Sequence, residues 1–161
     1  MKEYHFKMQL TNAAGEGTGS VKDLETDFPG LHYCKCEGLE DVGKAKNIYL
    51  ESYPEASGAR AYHPSDNTES VTYETTEVKL TLIFLNDTRR VAYNQFRAFI
   101  DSGRLFYWDN ARNKKVWLVR EKDPVKPDND TIVPSGYIGV TFVFTNLWGI
   151  GKKCKDDGTL L

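Results

Sequence analysis

The sequence is poor in the residues that most often do chemistry. It holds only three histidines and three cysteines among 161 residues. Cys34, Cys36 and Cys154 form an odd set without disulfide-framework spacing, so reduced thiols are expected. No apolar run approaches the roughly 18 residues of a membrane span. The opening Met1-Lys2-Glu3-Tyr4-His5 lacks the apolar centre of a signal peptide, so the expectation is synthesis and use in the cytoplasm, or assembly there into something larger. Charge of one sign is lacking too: the net value is −2, with Lys/Arg and Asp/Glu interleaved along the chain. Binders of phosphate backbones normally carry a basic face, so the charge argues against nucleic acid as the main partner, and no nucleic-acid specificity is expected. The short runs Arg112–Lys115 and Lys152–Lys155 read as solvated turns. Missing as well are a nucleophile elbow, a phosphate-binding glycine loop and the calcium-loop pattern. Asn12 to Ser20 is glycine-rich, but no helical pattern follows it that could offer an N-terminus to a phosphate. The expectation is no enzyme and no cofactor.

What is present is a β pattern broken by one helix. With 8 Phe, 9 Tyr and 3 Trp, the chain is rich in rings that suit a pleated, half-buried surface. Tyr4, Phe6, Met8 and Leu10 alternate with polar residues, as do Val78, Leu80, Leu82 and Phe84, and later Ile138, Val140, Phe142 and Phe144. Segments 31–37 and 47–53 read as further strands, and Arg104–Trp108 with Val116–Arg120 as a hairpin. Between these, Ala92, Phe96, Phe99 and Ile100 fall on one stripe and predict an amphipathic helix over about 89–102. Asn86, Asp87 or Thr88 is its expected N-cap, and Gly103 its left-handed stop. The fold class is therefore mainly β (α+β), an antiparallel β-sandwich or barrel with one packed helix. A single domain covers 1–150, with long loops at 54–70 and 121–135, followed by a flexible C-terminal tail at 151–161.

Candidate sites are few. His32, Cys34 and Cys36 stand at i, i+2 and i+4, which places all three on one face of a regular strand, and Cys154 could join them around zinc. The spacing lacks the CxxC knuckle of zinc loops, so buried reduced cysteines are the preferred reading and no metal is expected. Asp123, Asp128, Asn129 and Asp130 offer oxygens without a calcium-loop pattern, and read as a solvated acidic loop. Tyr107, Trp108, Trp117 and Trp148 could line a sugar-binding face, although rings on neighbouring strands more often form core or subunit interface.

Taken together, the strand ending Leu82-Ile83-Phe84-Leu85, the helix 93–100, the strand closing on Tyr107-Trp108-Asp109, the hairpin to Val116–Val119 and the last strand Gly139–Phe144 resemble the tail proteins of long-tailed phages and prophages. The likeness is to tail-tube and distal-tail β-sandwich domains, and includes the segment Tyr53–Pro64 leading into the sheet. It implies a non-enzymatic virion structural protein that forms a ring, often hexameric, with itself and with other tail proteins. It further implies assembly in the host cytoplasm and residence in the virion tail. Loops and sheet edges would make the contacts. The interface residues expected on that basis are Pro124, Lys126, Pro127, Asp128 and Asp130 in the proline-rich loop, with Tyr62 and Trp148. The host-binding second domain of many distal-tail proteins has no counterpart in the chain, which favours a minimal ring component. The alternative is a β-sandwich module binding carbohydrate or another ligand.

Overall fold

The computed structural model describes residues 4–52, 59–85, 89–122, 124–125 and 138–161; at Cys34, Glu51, Ser52 and Ala59 it describes the backbone alone. In chain order the elements are β1 (Phe6–Thr11), β2 (Lys22–Asp23), α1 (Leu24–Asp27), β3 (Leu31–Glu37), β4 (Tyr49–Ser52) and β5 (Ala59–Tyr62). A 3₁₀ turn (Pro64–Asn67) precedes β6 (Thr76–Phe84), α2 (Val91–Asp101), β7 (Arg104–Asp109), β8 (Lys114–Arg120), β9 (Ile138–Asn146) and β10 (Lys152–Lys153).

Strict alternation marks the centre of the main sheet. Val78, Leu80, Leu82 and Phe84 of β6 lie opposite Phe144, Phe142, Val140 and Ile138 of β9, and all eight are buried. On the other face of the same ladder the Thr81 and Thr141 hydroxyls meet at 3.1 Å. Strands neighbour one another in the order β2-β1-β7-β8-β9-β6-β3, antiparallel throughout, with β10 added to β8. Of the two architectures compatible with the pattern, the sheet is a single one, curled into a half-barrel. Phe6 of β1 stacks on Tyr33 of β3 with centroids 3.6 Å apart, so side chains bridge the seam between strands far apart in the sheet order.

The helix fills the half-barrel. Ala92, Phe96 and Ile100 are buried, and Phe96 meets Phe28 and Phe142 edge-on at 5.3 and 5.2 Å. Its ends differ from expectation. Arg90, in the left-handed conformation, precedes the first turn, and the candidate caps Asn86, Asp87 and Thr88 lie outside the described residues. At the other end Gly103 is not left-handed: Ser102 closes the helix, its N–H and hydroxyl both donating to the Phe99 carbonyl. A hydroxyl that satisfies a terminal carbonyl removes the need for a glycine stop.

The segment after 150, expected as a flexible tail, is a strap laid over the sheet. Lys152 and Lys153 pair with Lys115 and Lys114, Trp108 Nε1 donates to the Asp156 carbonyl (3.2 Å), and Lys115 Nζ donates to the Gly158 carbonyl (2.9 Å). Beneath it a second, smaller core joins Phe106, Trp108 and Cys154 to the half-buried Trp117 and Trp148. β8 thus shares one edge between two partners, β9 for Leu118–Arg120 and β10 for Lys114 and Lys115. Asn146 is buried at the handover, its Oδ1 accepting from the N–H groups of Trp117 (3.4 Å) and Trp148 (3.1 Å).

Candidate functional site

The segment expected as a long loop over 54–70 contains β5 and the 3₁₀ turn instead. β4 and β5 form a hairpin of their own, Tyr49 opposite Tyr62 and Leu50 opposite Ala61, and among the described residues neither strand pairs with the main sheet. This arm displays Tyr49 (61% exposed), Leu50 (73%) and Tyr62 (40%). An isolated two-stranded hairpin is marginal in water; on this one Tyr49 and Tyr62 lie opposite each other on one face and Leu50 on the other.

The arm is anchored by its legs. Ala45 bridges Tyr73, the Lys46 N–H donates to the Thr72 carbonyl (2.9 Å) and the Glu74 N–H to the Lys44 carbonyl (2.8 Å). Asn47 clamps the top, donating through Nδ2 to the Ser70 carbonyl (2.9 Å) and accepting at Oδ1 from the Thr72 N–H (3.0 Å). Where the legs meet the sheet, the Gly43 N–H donates to the Gly149 carbonyl (2.7 Å). Both glycines are needed there. A Cβ on Gly43 would come within 1.9 Å of the Glu74 carbonyl oxygen and one on Gly149 within 2.2 Å, and Gly149 is left-handed as well. At the arm's base the 3₁₀ turn is capped by His63, with Pro64 buried and Asp66 and Glu69 exposed.

Beside the legs lies a groove of about 490 Å³. Val71, Tyr73, Trp148 and Ile150, all half-buried, give it an apolar lining, and Lys46 and Lys152 stand on its rim. The Lys152 ammonium lies 4.2 Å from the centre of the Trp148 ring.

The residues singled out in the sequence are scattered. Tyr62 sits on the arm and Trp148 in the groove; Pro124 is exposed, and Lys126, Pro127, Asp128 and Asp130 lie outside the described residues, as do Asp123 and Asn129. Of the metal candidates, His32, Cys36 and Cys154 are placed apart, and the Cys34 side chain lies outside the described residues. A β-bulge between Tyr33 and Lys35 shifts the register against β6, so His32 is exposed while Cys36, past the bulge, is buried. Cys154 belongs to the second core. Among the described residues no group of three His, Cys, Asp or Glu could hold a metal ion. Tyr107 and Trp108 are fully buried, which removes two rings from the sugar-binding face considered above.

Burial shifts several of the described ionisable groups. Desolvation pushes the Cys36 thiol up to about 12 and raises Cys154 and the Tyr107 phenol as well. Desolvation lowers Lys115, whose ammonium lies 3.9 Å from the centre of Phe106 and donates to the strap. Asp109, fully buried, is occupied by Arg112, accepting the backbone N–H at 2.7 Å and facing the guanidinium at 3.5 Å. Tyr49, Leu50 and, Trp148 apart, the apolar groove residues were not singled out in the sequence. The turn-rich Pro54-Glu55-Ala56-Ser57-Gly58 between two tyrosine-containing segments is the hairpin signal that would have found the arm.

No protein-family model and no curated protein matches the sequence. Solved structures do match the fold. A chain of the phage p2 baseplate in its activated conformation with strontium aligns with a TM-score of 0.55 at 10% identity, over 91% of this chain and 45% of that one. The calcium form of the same baseplate gives 0.54 at 12% identity, over 91% and 45%. The SPP1 Dit protein (gp 19.1), from the hub adsorption apparatus of phages infecting Gram-positive bacteria, aligns at 0.48 and 12%, over 92% and 52%. The chain thus spans about half the length of the proteins it is similar to, and shares its fold with chains of a phage baseplate.

Proposed function

We propose that this chain is a non-enzymatic structural subunit of a phage or prophage tail, assembling with copies of itself into a ring and docking other tail proteins. The observation that carries the reading is the arm. A hairpin with Tyr49, Leu50 and Tyr62 exposed extends from a glycine-tight root and pairs with no other described strand. Ring subunits need two different patches, one that reaches and one that receives, and a projecting hairpin is a means of reaching. The fold shared with baseplate chains supports a place at the tail tip rather than along the tube. Such a protein would assemble in the host cytoplasm and reside in the virion tail. Light scattering on size-exclusion fractions over a wide concentration range, with electron micrographs of the large species, tests the reading. Closed rings are expected. Replacing 49–62 by a short glycine-serine linker should leave monomers, and rings that persist without the arm would overturn its role.

A further inference from the structure

We infer that the groove lined by Val71, Tyr73, Trp148 and Ile150 receives the arm of a second copy of this chain. The inference rests on the ring reading and names its receiving surface. Arm and groove are complementary in two respects. The arm presents Tyr49 and Tyr62 side by side on one face, and the groove, about 490 Å³, is lined by the apolar side chains of Val71, Tyr73, Trp148 and Ile150. The arm's base carries the exposed carboxylates Asp66 and Glu69 next to those rings, whereas the groove's rim carries Lys46 and Lys152. Arg60, the cation on the arm, already lies over the Tyr62 ring at 5.5 Å. A subunit cannot satisfy both patches alone. None of the arm residues 49–52 or 59–62 lines its own groove among the described residues. Contact therefore runs from one copy to the next, head to tail, which is the kind of interface that closes into a ring.

The experiment uses the full chain in two arms. In the first, Lys46→Glu/Lys152→Glu and Asp66→Lys/Glu69→Lys are made separately and then mixed. Each variant alone should assemble on the order of tenfold more weakly than the original, and the mixture should recover much of the loss. Circular dichroism on each variant checks that it has folded. In the second, a benzophenone amino acid replaces Tyr62, and isotope-mixed protein is irradiated and digested. Cross-links between position 62 of one copy and peptides spanning 147–152 of another support the inference. Normal assembly by both charge variants, or cross-links elsewhere on the neighbour, would overturn the groove while leaving the ring intact. A strict monomer at every concentration would overturn both.

Discussion

Cys36 lies inside the half-barrel within electrostatic reach of Tyr107, Asp109 and Arg112, and desolvation raises its thiol from 9.0 to about 12. The unfolded chain therefore gives up this proton first. The stability this group contributes is complete below pH 9 and is lost as pH climbs toward 12. Tyr107 and Tyr33 are raised by burial too and steepen the same limb. Cys36→Ala should thus give an alkaline unfolding profile shallower than that of the original chain, measured by urea titration from pH 8 to 11.5. An unchanged slope would mean that the thiol ionises while folded. A second residue carries a steric prediction. Gly149 is left-handed with a carbonyl oxygen 2.2 Å from where a Cβ would stand, so Gly149→Ala should cost ~2 kcal/mol or more. The urea midpoint should fall with the slope of the transition unchanged.

At the scale of elements, the arm and the strap contribute in opposite ways. Removing 152–161 uncovers Trp108, deprives its indole N–H and the Lys115 ammonium of their acceptors, and takes away the buried Cys154. A loss on the order of 3 kcal/mol with a red-shifted tryptophan emission is expected. Excising the arm should leave the monomer's thermal midpoint nearly unchanged, because its apolar side chains are already in water. The same contrast explains what the sequence could tell. β6, β9 and the helix were legible because their apolar periodicity records burial within this chain, as at Leu80, Phe142 and Phe96. Of the arm, β4 was legible within the segment 47–53 but β5 was not, since residues 60–62 are exposed and the sequence there offers no inward apolar face to alternate. β3 misled through a single residue: the bulge at Cys34 reverses parity, and a one-residue insertion has no signature in composition. In the strap, Lys152-Lys153-Cys154-Lys155-Asp156-Asp157 reads as solvated tail, and its ties are mainly backbone carbonyls that any residue could supply.

For the whole molecule, charge and apolar area act on different equilibria. The core is apolar and its ion pairs few, whereas the proposed contact between copies sets Asp66 and Glu69 against Lys46 and Lys152. Salt screens exposed charges over a Debye length that shrinks from ~30 Å at 0.01 M to ~3 Å at 1 M. Assembly should therefore weaken several-fold between low and high salt, followed by light scattering, with little change in the monomer's unfolding midpoint. Equal sensitivity of both quantities would argue against a charged contact. Fold class was readable at this scale, but not the groove, which forms only where Val71, Tyr73, Trp148 and Ile150 converge after the chain has doubled back on itself.

The strand order also imposes a schedule on synthesis. β1 finds its long partner only in β7, and β3 only in β6, itself flanked by β9. A ribosome adding roughly 5–20 residues per second leaves β1 waiting on the order of 5–20 s for residues 104–109 to emerge. Throughout that interval the segment bearing Phe6, Met8 and Leu10 has only the two-residue β2 to pair with. Yield from the cell should then depend on translation speed and chaperone supply more than on the stability of the finished fold.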